Sequence, residues 1–248
     1  VDTDVNVGKR RAETPDDRLD AFRSRLLARR ERNVVPVRGE HGVDEIGVLY
    51  PAFVLLPSLL ESLEQQAPGI SVAVQGFNHR DDAVDLLDSG AIDAAIGVPP
   101  TLSDRRILTC PILRDEFVTI LARDHPAARR GMNMKAYLAL AHVLASPEGD
   151  RHGLVDQLLA EQGKKRRIAL TLPQMFAVPA VVARTNTTAT VMKRVALGSP
   201  AGRQLVLFPP PVAVPEVVFH LVWHRRNDNH PAQVWWRDFI VRHAGSLR

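Results

Sequence analysis

The chain has 248 residues, 45% of them hydrophobic and 24% charged, with a formal net charge of +4. That length accommodates one large domain or two small ones, and the mild positive balance lacks the dense single-sign charge of a dedicated nucleic-acid binder. No window approaches the roughly 18 uninterrupted apolar residues of a membrane span, the first 30 residues are charged throughout and contain no signal peptide, and the single cysteine, Cys110, rules out an internal disulfide. The expectation is a cytoplasmic protein with one buried, free thiol.

Residues 1–13 are polar and aperiodic and read as disordered. Thr14-Pro15-Asp16-Asp17 starts a helix, with a capping hydroxyl, proline in the first turn and acids near the positive dipole end. Its narrow stripe of Leu19, Phe22 and Leu26 is ringed by five arginines between Arg23 and Arg32. Three readings stay open: a solvated helix docked by one stripe, a helix that pairs with a partner chain, or a nucleic-acid-binding arm.

From Val43 the pattern alternates between strand and helix. "EIGVLY" (45–50) reads as a strand, 53–66 as a helix with Pro57 in its first turns, and "ISVAVQGF" (70–77) as a strand. Asp81 and Asp82 open the next helix, Ala83, Val84, Leu86 and Leu87 recur at helical spacing, and Ser89-Gly90 closes it. A strand over 91–98 stops at Pro99-Pro100. Further strands are expected at 116–123, 142–146, 166–172, 204–208 and 216–224, with helices over 135–141, 153–163, 173–185 and 231–244. The closing helix presents Val234, Trp235, Phe239 and Ile240 as an apolar face. Strands alternating with helices imply right-handed crossovers and a mostly parallel sheet. The strand at 116–123 and the proline tract "PPPVAVP" (209–215) suit passages between two lobes, because a proline-rich connector is extended and semi-rigid.

Motifs for chemistry are missing. There is no P-loop, no Gly-x-Gly-x-x-Gly and no nucleophile elbow. Asp124-His125-Pro126 with Ser146 or Ser199 makes a poor triad, His220 and His224 lack a third metal ligand, and Lys164-Lys165-Arg166-Arg167 reads as a solvated turn. No metal or other cofactor is expected, and no catalytic residue.

Five segments, "LLPSLLESLEQQAPGISVAV", "DDAVDLLDSGAIDAAIG", "ARDHPAA", "HGLVDQLLAEQGKKRRIALTLP" and "LVWHRRNDNHPAQVWWRDFIV", occur in order over 45–244. Together they resemble the effector-binding domain of LysR-type transcriptional regulators, closest to the branch that senses nodulation signals and aromatic acids. The resemblance implies an α/β fold of the type II periplasmic-binding-protein kind: two α/β lobes joined by two crossover strands, with a small-molecule cleft between them. It places lobe I at 43–117 plus 215–248 and lobe II at 118–214, behind a polar tail and short Arg-rich helix at 1–42. It also implies a homodimer or tetramer formed through lobe contacts. Residues 1–42 contain nothing like the helix-turn-helix that begins such regulators, so DNA contact is expected only through a domain not present in this chain. A stand-alone solute-binding protein and an enzyme on the same fold are the alternatives.

Ligands of open α/β sheets bind outside the carboxyl ends of the strands, and helix starts there offer free N–H groups to anions. This points to Tyr50, Phe53 and Val54 around the first strand-to-helix turn, to Gly97 in the edge loop 97–100, and to Gln174, Met175 and Phe176 in the equivalent turn of the second half. Each doubles as an ordinary core or helix-start residue. By the resemblance, His152 hydrogen-bonds the effector; the alternative is a plain loop histidine. Asn186 and Thr187, where the family pattern carries an acid at 186, either bind ligand or close a turn, with the turn preferred.

Overall fold

The computed structural model describes residues 43–48, 52–77, 79–146 and 149–246. The expected helix at 14–32 lies outside them. Among the described residues, ten strands form two five-stranded sheets. Strands β1 (Val43–Val48), β2 (Ser71–Gly76), β3 (Ala94–Gly97), β4 (Ile107–Asp115) and β10 (Val217–His224) build the first, in the order β2-β1-β3-β10-β4. Strands β5 (Phe117–Ala122), β6 (Ala141–Ala145), β7 (Arg167–Leu172), β8 (Thr187–Met192) and β9 (Leu205–Phe208) build the second, in the order β7-β6-β8-β5-β9.

The parallel pairs are those joined by helices. Helix α1 (Ala52–Gln66) connects β1 to β2, and α2 (Asp82–Ser89) connects β2 to β3, giving parallel β1/β2 and β1/β3. In the second sheet α4 (Leu154–Ala160) and α5 (Val178–Val182) do the same for parallel β6/β7 and β6/β8. The remaining helices are α3 (Met134–Ala139), α6 (Lys193–Gly198) and α7 (Pro231–Ser246). Antiparallel pairing appears where the chain changes sheets: Glu116 alone separates β4 from β5, and 209–216 return the chain from β9 to β10.

Four departures have local causes. Strand β4 was not anticipated, because Pro111 interrupts "ILTCPILRD". Proline is tolerated here because β4 is an edge strand and the register against β10 shifts between Phe219 and His220, opposite Pro111. Cys110 on that edge is half-buried rather than a core thiol. The expected helix over 173–185 is a 3-10 turn at Met175–Ala177 followed by the short α5, with Pro179 in the first turn of α5. Finally, 187–192 is a strand, and α6 follows it directly.

Helix α1 buries Leu55, Leu59 and Leu63, four residues apart on one face, against Trp235, Trp236, Phe239 and Ile240 of α7 and Ala94, Ile96 and Leu221 of the sheet. Trp236, not Val234, completes the apolar face of α7. The opposite face of the sheet receives Ala83 and Leu87 of α2, with Ala95 and Val222. Covering both faces explains why "AAIG" of β3 is wholly buried. Gly90 ends α2 at φ 75°, the left-handed conformation that glycine adopts without a Cβ penalty. The second sheet packs Val118, Ile120, Val143, Val178, Val182, Ala189 and Val191 into one cluster that also takes Leu113 of β4 and Phe219 of β10. The two crossings therefore carry apolar side chains of the first sheet into the core of the second.

His142 on β6 has no exposed surface. Its Nε2 lies 2.8 Å from the Tyr137 carbonyl, which can only accept, so Nε2–H donates. The Tyr137 ring meets it edge-on at 4.3 Å. Burial pushes its pKa down to about 4. A folded pKa below the unfolded value of 6.5 means the unfolded chain binds the proton first. The His142 contribution is therefore whole above pH 6.5 and shrinks as pH falls towards 4, by about 3 kcal/mol in all. Urea unfolding at stepped pH is expected to show this slope, and His142→Gln to flatten it. An unchanged slope in the variant would assign the acid sensitivity elsewhere.

Candidate functional site

The pairing registers fix which strand ends face the gap between the sheets. Gly97 at the end of β3 sits opposite His220, near the start of β10, and Met192 at the end of β8 sits opposite Phe117, at the start of β5. The carboxyl ends of the parallel strands in both sheets thus point towards the crossings, and so towards each other. Strand ends of this kind are where α/β sheets take ligands.

On the first sheet, Gly97 is buried and the loop after it is anchored. The Thr101 N–H donates to Asp81 Oδ1 at 2.7 Å, which holds the Asp81 carboxyl below the usual carboxylate range. Val98 packs on the cluster that contains Met175 of the second lobe. Tyr50 lies outside the described residues, as does the side chain of Phe53.

On the second sheet, Ser146 follows β6 and donates its N–H to the Leu172 carbonyl at 2.8 Å. Gly149, at φ 81°, turns the chain towards exposed Arg151 and His152. Asp156 in the first turn of α4 accepts the Gly153 N–H at 2.8 Å and secures the end of that loop. The same carboxylate receives Nε and Nη2 of Arg166, both at 2.7 Å. The remaining guanidinium arm donates to Tyr137 Oη at 3.0 Å, and Tyr137 Oη pairs with Thr190 Oγ1 at 2.8 Å. The basic run at 164–167 is therefore not uniformly a solvated turn, because Arg166 inside it is buried.

In the turn after β7, Gln174 is exposed, Met175 is part of the core, and Phe176 remains 48% exposed. Asn186 and Thr187 are not brought to this edge. Thr187 pairs with Ala141 at the amino end of β6, the far side of the sheet from Ser146 and Gln174, and its hydroxyl bonds Thr185 Oγ1 at 2.6 Å. The preferred reading of 185–191 as a turn gives way to strand β8 over Thr187–Met192, and the turn at the gap follows Met192.

The structure brings Val54 and Phe176 together. They line a cavity of about 320 Å³ between the lobes, with Pro57 of α1 on one side and Arg194, Val195, Gly198, Ser199 and Pro200 of α6 and its exit on the other. The residues from α6 were missed; the signal was the β-branched run "TTATV", which reads as a strand whose carboxyl end is the turn at Lys193-Arg194. A second cavity of about 430 Å³ adjoins the crossings, lined by Arg114, Asp115, Glu116 and Glu216 with Lys193, Arg194 and Leu197. Its charges are largely matched: Arg114 faces Glu216 at 3.4 Å and Lys193 faces Glu116 at 2.5 Å. Asp115, 8% exposed, accepts the backbone N–H of Glu116 at 2.9 Å and of Arg194 at 3.4 Å. Burial nevertheless pushes its pKa up.

Elsewhere the singled-out residues serve structure. His125 accepts the Ala127 N–H at 3.1 Å as a cap, and His224 bridges Asp88 at 3.1 Å and the Arg226 N–H at 3.0 Å. Among the described residues, no group of His, Cys, Asp and Glu could hold a metal ion, and no helix is long and apolar enough to cross a membrane.

Two α/β lobes joined by two crossings, with facing carboxyl strand ends and a cavity between them, define a type II periplasmic-binding-protein fold. The chain belongs to the LysR substrate binding domain family, whose sequence model matches residues 38–245. It is 32% identical over 201 residues to the HTH-type transcriptional activator NagR of Ralstonia sp. and 29% identical over 203 residues to the activator NahR of Pseudomonas putida. Each alignment covers 79% of this chain, but only 64% of NagR and 63% of NahR, so the chain spans less than two thirds of either relative. Nodulation protein D 3 of Rhizobium leguminosarum is 26% identical over 78% of the chain and 64% of its own length, in keeping with the branch resemblance. Among solved structures, the regulatory domain of MexT from Pseudomonas aeruginosa superposes with a TM-score of 0.70 at 30% identity, over 81% of this chain and 97% of that domain.

Proposed function

We propose that the protein senses a small organic effector in the gap between its lobes, and that the bound state sets the activity of a transcription regulator. The cavity that joins Val54 of one lobe to Phe176 of the other carries this reading. A ligand touching both lobes has different contacts in open and closed arrangements, and only such a difference shifts a conformational equilibrium. In this reading lobe I comprises 43–117 plus 215–248 and lobe II 118–214. Gly97, His152 and Gln174 border the same gap, and Tyr50 and Phe53 complete its first-lobe side. The lobes self-associate as a dimer or tetramer, DNA is reached through a helix-turn-helix domain outside these residues, and the protein works in the cytoplasm without catalysing a reaction. The relatives named as HTH-type transcriptional activators support this.

A thermal-shift screen of small organic acids and their neutral analogues tests the reading. A ligand at about one hundred times its Kd adds about 2.7 kcal/mol of stability, which raises Tm by several degrees. Val54→Trp fills the cavity and is expected to abolish that rise. Stabilisation that survives Val54→Trp unchanged would place the ligand elsewhere, and turnover of the ligand would restore the enzyme alternative.

A further inference from the structure

We propose that Arg194 is the specificity-determining residue of the inter-lobe cavity, selecting compact apolar monocarboxylates over their neutral analogues. The inference rests on the reading of that cavity as the effector site. Of the described arginines that are not exposed, Arg166 and Arg237 give their guanidinium groups to carboxylate or carbonyl acceptors, whereas no acceptor among the described residues takes a hydrogen bond from the Arg194 side chain. A half-buried guanidinium carries five donors in a planar fork, a geometry that a carboxylate satisfies with two parallel bonds.

The surroundings define the rest of the ligand. Val54, Pro57, Phe176, Val195 and Pro200 give the cavity an apolar lining around this one cation, so the molecule is a compact apolar body with one oxyanion. At about 320 Å³ the space lies at the small end of the range for ligand pockets. The neighbouring cations do not compete, because Arg114 and Lys193 already face Glu216 and Glu116. Arg194 is also held in place: its backbone N–H points to Asp115 on the β4-to-β5 crossing. The same side chain lines the cavity at the crossings, so an anion bound to it sits next to the segment about which the lobes would turn.

The test uses matched pairs, benzoate with benzamide and cyclohexanecarboxylate with its carboxamide, titrated calorimetrically into the protein and into Arg194→Gln, Arg194→Lys and Val54→Trp. The acids are expected to bind the native protein and the amides to bind about 10- to 100-fold more weakly, the span of a hydrogen bond to a charged group. Arg194→Gln should erase that gap, and Arg194→Lys, which keeps the charge that acts on the buried Asp115 carboxylate, should keep part of it through charge alone. A gap that survives Arg194→Gln, amides as tight as acids, or no binding by either acid would each overturn the proposal. Acid binding abolished by Val54→Trp but indifferent to Arg194→Gln refutes the role of Arg194 alone. Acid binding indifferent to Val54→Trp refutes the cavity as effector site.

Discussion

Trp236→Ala is expected to lower folding stability by about 3–5 kcal/mol, the usual cost of truncating a large buried aromatic. Trp236 has no exposed surface and is the largest of the fully buried side chains. It lies 5.9 Å from the Phe239 ring at 14° and shares its cluster with Leu55, Leu59 and Leu63 of α1. Helix α7 is the last of the described elements, yet it packs on α1 and the first sheet, so the cavity left by alanine loosens that long-range contact. Urea unfolding followed by far-UV circular dichroism measures the loss, and Val234→Ala, at a half-buried position of the same helix, should cost less than about 1 kcal/mol. Equal, small losses for both would contradict the packing of α7 on α1.

Asp156→Ala should cost a similar amount, about 3–5 kcal/mol, for a different reason. It leaves Arg166, whose side chain is 2% exposed, without the carboxylate that receives two of its donors. An unpaired buried charge is far more costly than a missing ion pair, so Asp156→Leu combined with Arg166→Met should recover most of the loss. The same substitution frees the Gly153 N–H, and amide exchange at Gly153 should quicken in Asp156→Ala. The acid limb follows from the ion pair. Burial alone would push the Asp156 carboxyl up, but the Arg166 guanidinium and the Gly153 N–H outweigh it and hold the pKa below the ordinary aspartate value of 3.8. A depressed folded pKa means the pair contributes in full above that value and is lost as pH falls through the lower, folded one. Denaturation of Asp156→Ala and of the double variant at neutral pH separates this pair from the His142 effect, which acts at higher pH.

Much of the architecture was legible in local pattern, because strands and helices are chosen by side-chain spacing and by the residues that start and stop them. The Asp81-Asp82 opening, the apolar rows of α2 and the glycine at 90 are all consequences of neighbours within one or two turns. So is the alternation of strand and helix that produces parallel pairs. Patterns failed where a distant partner changed the meaning of a residue. Pro111 speaks against a strand until β10 supplies an edge and a shifted register for it. Arg166 is chemically like its basic neighbours, and only the folding of α4 against β7 brings Asp156 to its guanidinium. Asn186 and Arg194 are eight residues apart on either side of β8. The direction of that strand, set by its parallel pairing with β6, sends the first to the far edge and the second to the gap. Spacing along the chain specifies which face of an element is apolar; which end of a sheet meets the other lobe depends on strand order and direction, and those arise only when separate segments pair.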